Sequence, residues 1–291
     1  MLELIHKTTS AKSKTVKLVW QSNERKGRIF ETSIVPSERK GHYSICLSSQ
    51  CGCSYKCSFC ASTKYTYPSD KNLTTDELLS QARQSLRVSD KVFSNLRLFQ
   101  FSFMGIGEPL DNFDNIYNAI SAISDRGYST SLATIGHISG LQSLIEKSDL
   151  IQPKLRLSLH AFRNRQSLIP AESIYPASRA IPLCNEYSEK TGTQLTIAWL
   201  LLKGINDTYE DAEEIGFKFN PQITRVHLPT YLGNVYETPS LKEKEMFRDR
   251  ITQASRLKWG EPITVDLQNI LGGDIEAGCG QLVGKYYDRE L

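Results

Sequence analysis

The chain has no run of roughly 18 apolar residues, the length a membrane-crossing helix requires. Its start, MLELIHKTTSAKSK, has neither a continuous apolar stretch nor a small-residue cleavage site. These absences exclude a spanning helix and a secretory leader as readings, so the expected location is the cytoplasm, with no membrane partner. Low-complexity tracts, Pro/Gly linkers and internal repeats are also missing, which sets aside solenoids and strings of small domains. A large excess of one sign of charge is also missing: the formal net charge is +3, too little to demonstrate a polyanionic partner. The basic residues are nevertheless unevenly spread. Lys7, Lys12, Lys14, Lys17, Arg25, Lys26, Arg28, Arg39 and Lys40 crowd the first forty positions, against Glu3, Glu24, Glu31 and Glu38. Such a strip either attracts a phosphate backbone or is a solvated, lysine-rich surface.

What is present is enough apolar sequence for a substantial core: 40% of 291 residues, with 23% charged. Short β-rich runs alternate with amphipathic helical stretches. Strands are expected at Tyr43 to Leu47, Leu96 to Met104, Thr130 to Thr134, Leu155 to Leu159, Gln194 to Leu201, Thr224 to Leu228 and Ile263 to Leu267. Helices are expected from Thr74 or Thr75, where TTDELLSQARQSL offers a hydroxyl cap and early acids, and at Phe113 to Ser124, Leu141 to Lys147, Ser178 to Lys190, Tyr209 to Phe219 and Leu241 to Leu257. Repeated βα units imply a parallel sheet, and about six of them suit a partial barrel rather than a full eight-unit one; an open doubly wound sheet is the competing architecture. Residues 10–42 break the rhythm, with KTVKLVWQ and RIFETSIVP reading as two strands around SNERKG. The expected organisation is a β-extension over 1–42 followed by the α/β unit over 43–291.

Seven cysteines are present, four of them at Cys51, Cys53, Cys57 and Cys60, with Cys46 just upstream and Cys184 and Cys279 far away. Such crowding in a reducing compartment points to metal or catalysis rather than disulfides. Cys53, Cys57 and Cys60 fall in one loop directly after the first parallel strand, where α/β proteins bind ligands. A [4Fe-4S] cluster normally takes four thiolates, so three would leave one iron open. The alternative is a structural zinc site with Cys51 as fourth ligand. Zinc sites usually pair two separated knuckles, and here one loop would have to supply every ligand, so the spacing favours the cluster.

The pattern C-x3-C-x2-C after a first barrel strand, with Phe59 before the last cysteine, resembles the radical SAM superfamily. SICLSSQCGCSYKCSFCAS, NLTTDELLSQ, FMGIGEPLDNFDNI, LRLSLHA and GGDIEAGCGQL are similar, in order, to successive blocks of the RlmN/Cfr family of RNA adenosine methyltransferases. With RIFETSIVP they span about residues 15 to 285. The resemblance implies the radical SAM type of partial (β/α)6 barrel carrying a small N-terminal β-extension, a [4Fe-4S] cluster on Cys53, Cys57 and Cys60, and S-adenosylmethionine contacts at Gly107, Glu108, Ser158, Leu159 and His160. It also implies methylation of an rRNA or tRNA adenosine at C2 or C8. In that scheme Cys279 accepts a methyl group, a methylene radical on its sulfur adds to the ring carbon, and Cys46 removes a proton to resolve the adduct. Glu31 matches a carboxylate with a proton-acceptor role, although by sequence alone it reads as an exposed strand residue. A flavodoxin-like or ferredoxin-like electron donor is implied as partner. Cys51 and Cys184 match no family role and read as packing residues.

Several expected features differ. Usual members carry a helical N-terminal accessory domain, whereas this chain begins almost at the β-extension, so that domain is expected to be lacking. A basic stretch is replaced by Leu267-Gln268-Asn269-Ile270-Leu271, a serine position reads as Ala133, an asparagine position reads as Tyr231, and the segment after SLHA is shortened to FRNRQSLIP. Two alternatives therefore stand beside RNA methylation. One is the same chemistry on a nucleotide, small molecule or peptide; the other is a zinc-stabilised nucleic-acid-binding module.

Overall fold

A computed structural model describes residues 2–25, 27–37, 41–93, 95–268, 272–278 and 280–287. The chain divides into two compact units. One comprises Met1–Lys56, Cys60–Ala133 and Leu271–Leu291; the other comprises Cys57–Phe59 and Thr134–Ile270.

The first unit opens with three antiparallel strands, β1 (Leu2–Thr9), β2 (Val16–Ser22) and β3 (Ile29–Pro36). The expected extension thus has one strand more than its sequence pattern suggests. Strand β4 (His42–Leu47) runs antiparallel to β3 but parallel to β5 (Arg97–Phe103), and β5 is parallel to β6 (Thr130–Thr134). Helix α1 (Thr75–Val92) starts where expected, and Thr74 is its cap: its side chain accepts from the Glu77 amide while Glu77 returns the bond to the Thr74 amide. This helix also reaches the site. Buried Gln81 accepts from the Ser48 amide at 2.9 Å and donates to the Ser48 carbonyl at 3.1 Å, fixing the chain as it leaves β4. Helix α2 (Phe113–Ser124) matches its expected bounds.

The second unit alternates helix and strand: α3 (Ile138–Glu146), β7 (Lys154–Ser158), α4 (Arg165–Leu168), α5 (Ala177–Thr191), β8 (Leu195–Ala198), α6 (Tyr209–Lys218), β9 (Thr224–Leu228), α7 (Leu241–Trp259) and β10 (Thr264–Leu267). Strands β7 to β10 pair in sequence order and all are parallel, the α/β arrangement expected from the βα repeats. Helix α3 begins three residues before its expected start because the His137 ring caps the Gly140 amide at 3.0 Å. No helix among the described residues is long and apolar enough to cross a membrane.

The chain returns to the first unit through α8 (Gly284–Tyr287). Leu282, Val283 and Tyr287 join Val19, Ile29, Tyr65 and Ile106 in one apolar cluster. Full burial of such a side chain is worth roughly 1.5–3 kcal/mol. Tyr287 stacks on Tyr65 at 4.9 Å, donates to the Ile29 carbonyl and accepts from the Ile29 amide. The C-terminal segment is therefore seated on the β-extension.

Candidate active site

In the first unit the site is built at the end of β4. Ser48 Oγ donates to the Glu31 carbonyl at 2.6 Å and accepts from the Ile106 amide at 3.0 Å. Ser49 and Gln50 both donate their amides to the Ile106 carbonyl, and the Gln50 side-chain oxygen accepts from the Glu108 amide. The segment holding Gly107 and Glu108 is thus zipped to the residues that lead into the cysteine loop. Gly107 has φ of +101°, and a Cβ there would lie 2.6 Å from Gln50 Cβ, so a larger residue would force the two segments apart. Glu108 is buried, with one oxygen accepting from the Leu110 amide. Asp111 accepts from Tyr55 of the cysteine loop and from Gln50.

Burial pushes the Cys53 thiol up to about 12, with Cys60 adding to the rise, and burial raises the Cys60 thiol as well. A thiolate is disfavoured at either position unless a cation compensates it. Among the described residues no three His, Cys, Asp or Glu side chains gather as ligands of a single metal ion. Cys51, the candidate fourth ligand of a zinc site, is fully buried beside Arg28 and Tyr287. Cys184 is likewise a buried packing residue, as expected.

Cys46 is half-buried on β4. Its register places it in a polar row running through Lys17, Ser33, Cys46, Ser102 and Ser131 across β2 to β6, and the Ser131 hydroxyl donates to that of Ser102 at 2.8 Å. Glu31, expected to be exposed, is 1% exposed. Its carboxylate accepts from Lys17 Nζ and the Gly280 amide, both at 2.6 Å, and from the Val283 amide at 3.2 Å. The basic strip shrinks accordingly. Lys17 and Arg28 are buried and ion-paired, and Arg25 is paired with Asp70.

Cys279 lies outside the described residues, but its neighbours are placed. Gly280 has φ of +77°, and a Cβ there would lie 2.5 Å from the Ser62 backbone nitrogen, in the turn that follows Cys60. Gly280→Ala should therefore displace the C-terminal segment, at a cost on the order of 1–3 kcal/mol. Faster proteolysis after residue 276 than in wild type is the expected reading, and an unchanged rate would place the glycine's packing outside what holds the segment.

The second unit holds Cys57, Phe59 and the Ser158–Leu159–His160 segment. Phe59 packs edge-on against the His160 ring at 5.0 Å. His160 adopts φ of +60°, a conformation fixed by two bonds: its Nδ1 accepts from the Leu200 amide at 3.0 Å, and its carbonyl accepts from buried Asn206 at 2.6 Å. Burial, with Arg165 nearby, depresses its pKa to about 3. The folded imidazole stays neutral through pH 5, while the unfolded one takes up a proton below about 6.5. Stability is therefore full above that value and is lost as pH falls toward 3, with His160 alone costing about 2 kcal/mol between pH 7 and 5. His227, held down to about 3 by burial and Arg156, acts in the same direction. The unfolding free energy from urea titrations should be lower at pH 5 than at pH 7 by at least that amount; equal values would mean that His160 protonates without leaving its place.

Arg165, which sequence reasoning passed over, organises this segment. It is 2% exposed, donates to the carbonyls of Ile135, Ser158 and Leu159 at 2.7–3.0 Å, and pairs with Glu172. Tyr231, at the expected asparagine position, is buried and accepts from the Val235 amide at 3.2 Å, shaping its own turn.

No protein-family model matches the chain. It is 34% identical over 284 residues to a probable dual-specificity RNA methyltransferase RlmN of Chlorobium phaeobacteroides, covering 93% of this chain and 74% of the relative. It is 33% identical over 289 residues to the dual-specificity RNA methyltransferase RlmN of Pseudomonas fluorescens, covering 93% and 71%. Among solved structures it is similar to a radical SAM methyltransferase from Sphaerobacter thermophilus, with a TM-score of 0.82 and 26% identity over 96% of this chain and 80% of that one. SuiB of Streptococcus suis, solved with S-adenosylmethionine, shares the fold at a TM-score of 0.55 and 17% identity, over 81% of this chain and 56% of SuiB.

Proposed function

Because the chain belongs to the RlmN family of RNA methyltransferases, we propose that it methylates an RNA adenosine at C2 or C8 by way of a methyl group carried on Cys279. It is a radical SAM methyltransferase. When bound at Cys53, Cys57 and Cys60, a [4Fe-4S] cluster with S-adenosylmethionine supplies the one-electron chemistry that this site requires. Radical chemistry suits the target, because C2 and C8 of adenine are electrophilic and do not attack a sulfonium; a carbon radical adds to them readily.

The chain's own residues divide the remaining tasks. Gly107, Glu108 and the Ser158–Leu159–His160 segment hold the cofactor, Cys279 carries the methyl group, and Cys46 takes the proton whose loss frees the product. Cys46 acts as its thiolate, and its place between Ser33 and Ser102 gives that anion hydroxyl neighbours on both flanking strands. A flavodoxin-like or ferredoxin-like protein supplies electrons, and the reaction takes place in the cytoplasm.

The observation that carries this reading is the contact of Gly280, next to Cys279 in sequence, with the turn that follows Cys60. Peptide mass analysis of the reconstituted enzyme, incubated with S-adenosylmethionine, should find one methyl group on Cys279. An unmodified Cys279 would remove the two-cysteine mechanism.

One observation favours a second substrate. Lys17, Arg25 and Arg28 are spent on internal partners, so the N-terminal strip has less charge for phosphate than its sequence suggests. A nucleotide, small molecule or peptide would suit such a surface. 5′-Deoxyadenosine formation that rises with added RNA supports RNA, and formation indifferent to RNA supports the smaller substrate.

A further inference from the structure

We infer that the buried Lys17–Glu31 pair is a positioning device that fixes the backbone on both sides of Cys279, and that Glu31 serves the reaction through this grip rather than as a proton acceptor. The inference rests on the reading of Cys279 as methyl carrier. Its support is the bonding of the pair. Lys17 Nζ lies 2.6 Å from Glu31, 3.1 Å from Ser33 Oγ, and 3.2 and 3.3 Å from the carbonyls of Ala277 and Gly278. Glu31 takes the amides on the far side, Gly280 and Val283. The cation therefore holds the chain before Cys279, and the anion holds it after.

Stability alone does not explain such a pair. Two buried charges pay for their desolvation only with excellent geometry, and a well-packed apolar pair often serves the fold equally well. Here the hydrogen-bonding capacity left over from the ion pair goes largely to one loop. Three bonds reach the Glu31 carboxylate, one from the lysine and two from amides of the C-terminal segment, so most of its acceptor capacity is directed at that segment. Lys17 belongs to no motif that marks the chemistry, and the pairing of β2 with β3 brings it beside Ser33.

The test uses the iron-loaded holoenzyme. Lys17→Met alone leaves a buried, unpaired carboxylate and is strongly destabilising, so the decisive variant is the double substitution Lys17→Met with Glu31→Leu, which removes both charges while keeping volume. Loss of charged hydrogen bonds should speed deuterium exchange at the Gly280 and Val283 amides about tenfold to a hundredfold, with exchange in β4 and iron content unchanged. Methylation of Cys279 should fall at least about tenfold in parallel, and the ratio of 5′-deoxyadenosine to methylated product should rise, an uncoupling that simple loss of folded protein would not produce. Lys17→Arg, which keeps the cation, should restore both readouts. Unchanged exchange in the double variant overturns the proposal. So does a Glu31→Gln enzyme that is inactive while its tail stays protected, the result expected of a proton acceptor. A wild-type enzyme with no methyl group on Cys279 would sink the functional reading above, and the exchange measurement would still decide the grip.

Discussion

Cys46→Ala enzyme incubated with its RNA substrate and S-adenosylmethionine is expected to accumulate as a covalent protein–RNA species that survives denaturation, with turnover lowered about 10²–10⁴-fold. The reason is the order of bond changes in the proposed mechanism: addition of the methylene carbon to the adenine ring would join Cys279 to the nucleoside, and a ring proton, with one electron passed to an acceptor, would have to leave before the carbon–sulfur bond could break. Cys46 is half-buried in a row of small polar side chains on the strand that feeds the cysteine loop. Alanine at this position removes a base without disturbing the packing of Ile45 and Leu47 on the other face of β4. After nuclease digestion the adduct should map as one nucleotide on the Cys279 peptide, and Cys46→Ala combined with Cys279→Ala should show none. Normal turnover by Cys46→Ala would assign the proton to another group.

The difference between what could be read in advance and what could not follows the range of the interactions. Helix α2 and strands β4 and β9 declare themselves through local periodicity, and α1 through its cap, because the forces that set them lie within a few residues. Strand β1 did not. Only Leu2 of its first four residues is buried, and Leu4 faces solvent, so an edge strand lacks the alternation that marks a half-buried one. Glu31 failed for the opposite reason. Its alternation with Phe30 and Thr32 reads correctly as two faces, but the face it occupies is covered by a segment 249 residues away. Local patterning cannot report a cover that arrives from the other end of the chain. The same distance hid Lys17, which was counted with the basic strip although its partners include Ala277 and Gly278. The cysteine motif stands out because its spacing falls within one loop; Gln81, Lys17 and Arg165, which hold the Ser48, Ala277–Gly278 and Ser158–Leu159 backbones, carry no such local signal.

Arg165→Met is expected to be the most damaging single change in the second unit, lowering stability by about 3–5 kcal/mol. Its guanidinium satisfies the carbonyls of Ile135, Ser158 and Leu159 and pairs with Glu172, which in turn accepts from the Ala177 amide at the start of α5. Methionine fills similar space but removes the guanidinium's bonds to these carbonyls and leaves the carboxylate without its cation. Arg165→Lys should rescue little, because one ammonium cannot span acceptors arranged around a planar fork. The functional consequence follows from position. Ser158 and Leu159 lie where β7 ends, and past that end their backbone is steered by Arg165 as well as by the bond from the Leu159 amide to Ala198. Weaker S-adenosylmethionine binding should therefore accompany the lost stability, measured by equilibrium binding at a temperature where the variant remains folded. If Arg165→Met binds the cofactor as wild type does, the segment takes its shape instead from the bond to Ala198 and from His160 and Asn206, which bond to Leu200 and to each other.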